Sequence, residues 1–117
     1  MGFKVSVYDS RFVTNQMIEE AYQLRNMPGA THARASTYKN NPSVGSQRQF
    51  FHDELSQLTV PTLIIWGRED SYFPVAHAQA AHKLIRNSQL CILEKCGHIP
   101  QLEKPDEFQR LVLDFLK

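Results

Sequence analysis

The run Pro61-Thr62-Leu63-Ile64-Ile65-Trp66-Gly67 constrains the fold of this chain more than any other stretch. Its apolar residues follow one another without polar alternation, so the strand it predicts is buried on both faces, as in a parallel sheet. Pro61 opens it and Gly67 ends it. Pro74 then suits the first turn of a helix over 75–85, with Lys83 and Arg86 near the carboxyl end, where cations complement the helix dipole. Gln89-Leu90-Cys91-Ile92-Leu93 predicts a second short strand. Strand, helix and strand in that order make a parallel unit with a right-handed crossover. Pro105 opens a final helix with Asp106 and Glu107 in its first turn. Phe108, Leu111, Val112, Phe115 and Leu116 then follow the i, i+3, i+4, i+7, i+8 stripe of an amphipathic helix. The class is α/β.

Residues 1–57 read differently. They are polar, with Asn, Gln, Ser and Thr among modest apolar residues. Thr14 can cap a helix whose loose apolar face is Met17, Ile18, Ala21, Tyr22 and Leu24. Pro28-Gly29 breaks it, a second helix covers 30–38, and Asn40-Asn41-Pro42-Ser43 breaks that. A third helix over 47–58 sets Phe50, Phe51, Leu55 and Leu58 near one side. Short helices with breakers and no strand alternation predict a helical lid over 1–57, with the strand-bearing core over 58–117. Two strands buried on both faces need neighbours along their edges. More sheet is therefore expected from a segment upstream.

Composition excludes several classes. Of 117 residues, 13 are basic and 12 acidic, a net charge of +1. That balance carries no electrostatic footprint for nucleic acid. The bulkiest apolar run, Leu63 to Trp66, is far short of a membrane span, and Met1 to Ser10 lacks the apolar core of a signal peptide. Met1-Gly2 with Ser6 fits a loose myristoylation pattern, a two-position match that chance supplies often. Cys91 and Cys96, without C-x-x-C spacing, make no disulfide framework and point to a reducing, cytoplasmic compartment.

Two loops carry the chemistry. Gly67-Arg68-Glu69-Asp70 follows the first strand and Cys96-Gly97-His98 the second. In open parallel sheets ligands sit outside the carboxyl ends of the strands, so a carboxylate and an imidazole leave adjacent strands on that edge. An acid that accepts a hydrogen bond from imidazole Nδ1 fixes the tautomer and leaves Nε2 free to take a proton. The 28 residues from Asp70 to His98 suit one helix, one strand and two loops. Glu69 is the rival acid, expected to face solvent.

The stretches Val60 to Asp70 and Cys96 to Phe108 resemble the closing segments of the α/β-hydrolase superfamily. That family places its triad acid three residues after the glycine and its triad histidine in a G-H motif. The resemblance implies that Asp70 is the acid, His98 the base, residues 58–117 the C-terminal βαβα part of the core and the preceding helices its lid. The G-x-S-x-G nucleophile elbow is missing; Val44-Gly45-Ser46-Gln47-Arg48 lacks the second glycine and a preceding strand. An H-G-G-type oxyanion loop is missing as well. The nucleophile is expected from a separate amino-terminal half, which together with self-association at the sheet edge makes up the expected partners. The isolated chain is expected to be inactive.

Val7-Tyr8-Asp9 with Phe12-Val13-Thr14, the Cys96-Gly97-His98 loop and residues 108–116 resemble the meta-cleavage-product hydrolases, which split carbon–carbon bonds in vinylogous diketo acids. That group usually has a lid arginine where this chain has Ala21, and a tryptophan where it has Ile99. The resemblance therefore implies a hydrolase of carboxylic esters or related small carbonyl substrates. The alternatives are a C–C bond hydrolase of this kind, haloperoxidase- or dehalogenase-like chemistry, and a truncated, non-catalytic binding or assembly module. No metal or cofactor is expected. His77 and His82 lie about 140° apart around a helix and cannot share a metal. His32 and His52 lack partners at ligand spacing. Cys91 is expected in the core and Cys96 in a tight turn, and no phosphate-binding glycine loop is present.

Overall fold

The computed structural model describes residue 4, residues 6–40 and residues 52–117, with backbone alone at positions 38, 40, 52 and 53. Ser46, the break at 41–43 and the first part of the third expected helix lie outside the described residues. Among those described, a 3-10 turn (Ser10–Phe12) precedes α1 (Asn15–Arg25), α2 (Ala30–Asn40), α3 (His52–Ser56) and β1 (Thr62–Gly67). There follow α4 (Ala76–Leu84), β2 (Ser88–Leu93), α5 (Pro100–Glu103) and α6 (Pro105–Phe115).

β1 and β2 pair in parallel, from Thr62 opposite Ser88 to Gly67 opposite Leu93. Every residue of β1 from Thr62 to Trp66 is half-buried, without alternation. The missing alternation in the sequence is thus matched by equal treatment of both faces, but not by full burial. A two-stranded sheet has too few neighbours to cover either face. The buried apolar residues are Val7, Val13, Ala78, Ile85, Leu93 and Cys96. Ala78 on α4 is 1% exposed, while Leu116 at the end of α6 is 71% exposed. Cys91 in β2 is half-buried, short of the expected core position, while Cys96 in the loop after β2 is fully buried.

The chain divides into two compact units. Residues 1–13 and 52–117 form one unit and residues 14–51 the other. Two contacts tie residues 6 and 8 to the second half of the chain within the first unit. The Ser6 carbonyl accepts the His98 N–H at 2.7 Å, and the Tyr8 N–H donates to Glu103 Oε2 at 2.7 Å. Such pairing is invisible to a local reading because about ninety residues separate the partners. α3 belongs to the first unit as well, packed against α4. Within the second unit, Thr14 Oγ1 accepts the Met17 N–H and caps α1, and Gly29 turns the chain at φ 85° between α1 and α2. Tyr22 and Leu24 of α1 are exposed. Among the described residues no helix is long and apolar enough to cross a membrane.

Candidate active site

The parallel pairing of β1 and β2 runs to their last residues, so the loops that follow leave the same end of the sheet. There the backbone is packed too tightly for side chains. A Cβ at Gly67 would collide with the carbonyl oxygens of Gly97 and Cys96. A Cβ at Gly97 would lie 2.8 Å from the Ser6 oxygen and 2.9 Å from the Tyr8 nitrogen. Glycine at both positions lets three segments touch through their main chains.

On this base the two expected residues meet. His98 Nδ1 lies 2.9 Å from Asp70 Oδ2. A carboxylate only accepts, so Nδ1 carries the proton and Nε2 keeps its lone pair. Asp70 Oδ1 accepts the N–H groups of Tyr72 at 2.8 Å and Phe73 at 3.1 Å. The Asp70 side chain is 4% exposed and that of His98 38%, a buried carboxylate beside an accessible imidazole. Burial pushes the Asp70 carboxyl up; the hydrogen bonds from His98, Phe73 and Tyr72 outweigh it and hold the group below the ordinary carboxylate range. The segment that grips Asp70 also packs the imidazole. The Tyr72 ring centroid is 4.9 Å from that of His98, and that of Phe73 is 5.6 Å away. A cavity of about 210 Å³ opens beside the pair, lined by Ile65, Trp66 and Phe108 among others.

Glu69 is exposed, as expected, but its carboxylate is not idle. Glu69 Oε2 accepts the Cys96 N–H at 3.0 Å, and the Glu69 N–H returns a 3.0 Å bond to the Cys96 carbonyl. The two loops are thereby tied side by side, and Glu69 points away from the role of rival acid. Burial first, and the Glu103 charge second, push the Cys96 thiol up to about 12, which keeps it protonated and unfit as a nucleophile. His82 Nδ1 pairs with Ser88 Oγ at 2.8 Å, and the Phe73 ring lies beside His77. Among the described residues no cluster of His, Cys, Asp or Glu could hold a metal ion.

Sequence reasoning missed Glu103. Its Oε1 and Oε2 each accept the Gly97 N–H at 3.0 Å, and Oε1 also accepts the Ile99 N–H at 3.2 Å. A signal was present. Pro100 at the first position of α5, with an acidic residue in the same turn, is the pattern of a helix start whose carboxylate reaches back to the preceding N–H groups.

The chain is similar to known proteins over part or most of its length. Monoacylglycerol lipase ABHD6 of Rattus norvegicus is 42% identical over 69 residues, 59% of this chain and 20% of the lipase. The 2-hydroxy-6-oxononadienedioate/2-hydroxy-6-oxononatrienedioate hydrolase 1 of Pseudomonas putida is 34% identical over 121 residues, 96% of this chain and 39% of that enzyme. Among solved structures, the meta-cleavage product hydrolase CumD of Pseudomonas fluorescens IP01 superposes with a TM-score of 0.83 at 30% identity. That match covers 96% of this chain and 42% of CumD. The chain thus spans about two-fifths of the hydrolases it matches along nearly its whole length. The family model for the alpha/beta hydrolase fold matches residues 5–105, and the chain belongs to the α/β-hydrolase family.

Proposed function

We propose that this chain is the acid- and histidine-bearing part of a serine-type hydrolase of carboxylic esters or related carbonyl substrates. The observation that carries the reading is the 2.9 Å approach of His98 Nδ1 to Asp70 Oδ2, with Asp70 buried and the imidazole accessible. In this reading Asp70 holds the Nδ1–H tautomer, and Nε2 takes the proton of a serine hydroxyl as that oxygen attacks the carbonyl carbon. The same imidazolium then returns the proton to the leaving group, while Asp70 stays ionised throughout. The serine and the oxyanion donors come from a segment outside this chain. Residues 14–51 take the role of lid, and the two free cysteines accord with a reducing, cytoplasmic setting.

A second reading, hydrolysis of a carbon–carbon bond in a vinylogous diketo acid, is supported by the extent of similarity. The match to the Pseudomonas putida hydrolase spans 96% of the chain, against 59% for the lipase. Ala21 and Ile99, where that group usually has arginine and tryptophan, argue the other way.

The test is complementation. The chain is co-expressed with the amino-terminal portion of the Pseudomonas putida hydrolase, and the complex is assayed on p-nitrophenyl acetate and on a 2-hydroxy-6-oxo-dienoate. The expected result is turnover that disappears with His98→Ala and falls by orders of magnitude with Asp70→Asn. Which substrate turns over decides between the two readings. A stable complex without turnover on either would favour a non-catalytic assembly role.

A further inference from the structure

Four consecutive backbone N–H groups in the loop that carries His98 are taken up by only three acceptors. Cys96 donates to Glu69 Oε2 at 3.0 Å, Gly97 to both oxygens of Glu103 at 3.0 Å, His98 to the Ser6 carbonyl at 2.7 Å and Ile99 to Glu103 Oε1 at 3.2 Å. Glu103 therefore brackets His98, holding the residue before it and the residue after it. The same carboxylate accepts the Tyr8 N–H at 2.7 Å, two residues beyond the carbonyl that holds His98 itself. Hydrogen bonds to an ionised acceptor are shorter and stronger than neutral ones, and three converging on one carboxylate fix the peptide planes on both sides of His98. The direction of its Cα–Cβ bond follows from those planes.

That direction matters because an imidazole–carboxylate hydrogen bond tolerates displacements of only a few tenths of an ångström. Glu103 makes no hydrogen bond to the imidazole or to Asp70, so it can influence the pair only through the loop. We propose that Glu103 is a positioning residue for His98, its carboxylate setting the backbone so that Nδ1 meets Asp70. This rests on the reading of Asp70 and His98 as acid and base.

The test is nuclear magnetic resonance of the ¹⁵N-labelled full chain, with Glu103→Gln, Glu103→Ala and Asp70→Asn variants. Imidazole ¹⁵N shifts report the tautomer of neutral His98, a readout that a general loss of stability does not imitate. Amide exchange at Gly97 and Ile99 reports the bracket, and exchange in the β1–β2 ladder reports the fold. Glutamine keeps the shape but only one acceptor oxygen, and serves if the alanine variant unfolds.

In the unsubstituted chain the expected result is a predominant Nδ1–H tautomer with protected Gly97 and Ile99 amides. In the Glu103 variants those amides should exchange about tenfold faster or more, the consequence of losing a charge-assisted bond. The tautomer should move toward the mixture seen in Asp70→Asn, while the ladder stays protected. An unchanged tautomer in both Glu103 variants would overturn the proposal. Loss of ladder protection in both would also overturn it, because Glu103 would then serve the fold at large. No Nδ1–H preference in the unsubstituted chain, and no change on Asp70→Asn, would instead refute the Asp70–His98 pairing and take the positioning role with it.

Discussion

Asp70 is a buried carboxylate held by three donors, and its depressed pKa links the site to acid stability. As pH falls, the unfolded chain takes up its proton first, near the ordinary carboxylate value of about 4. The stabilisation from Asp70 is therefore complete above that value and is lost as pH falls through the lower folded value. Asp9 acts in the same direction, held near 2 by side-chain and backbone hydrogen bonds from Arg11, but it is more exposed and counts for less. Thermal melts between about pH 6 and about pH 3 should show a shallower loss of Tm in Asp70→Asn than in the unsubstituted chain. Equal slopes would mean that Asp70 is not held as described. A serine-directed phosphonate is a further check at this scale. No serine of the isolated chain should label stoichiometrically, and one label per chain would expose a nucleophile here, with Ser46 the first suspect.

Among the elements, the junction of β1 with the two loops is where substitution costs most. Gly97→Ala places a methyl group 2.8–3.0 Å from backbone atoms of Ser6, Val7 and Tyr8, which cannot retreat like a flexible side chain. The expected cost exceeds the roughly 1–3 kcal/mol of ordinary over-packing, with a lower Tm and no gain on cooling. A Gly97→Ala chain as stable as the parent would show that residues 6–8 do not lie against the His98 loop. α1 gives a milder case. Thr14 caps it through the Met17 N–H, so Thr14→Ala should cost about 1 kcal/mol. The loss should appear as faster amide exchange confined to the first turn of α1.

On the scale of the whole molecule, two half-buried parallel strands are an unfinished sheet. Each has one partner, and each keeps an edge without a ladder among the described residues. Unpaired edges with apolar faces recruit other chains. Sedimentation velocity on the isolated chain should therefore show self-association, which an amino-terminal hydrolase segment relieves. A monodisperse monomer with a sharp cooperative melt would contradict this.

How much of this is legible in the sequence depends on sequence distance. β1, α4, β2 and α6 follow from short-range patterns: the apolar runs, Pro74, Pro105 and the stripe from Phe108 to Leu116. Thr14 announces its helix in the same way. Asp70 and His98 are legible because strand pairing carries both to one sheet end, and only the spacing of two loops had to be right. The sequence alone thus determines which elements form and which two side chains can meet. Tertiary structure decides how they are held. It folds residues 6–13 onto the core, sinks Cys96 rather than Cys91, and turns Glu69 and Glu103 into clamps on the His98 loop. These choices are made by backbone N–H groups finding acceptors far along the chain, and a main-chain donor leaves no mark on the identity of its residue.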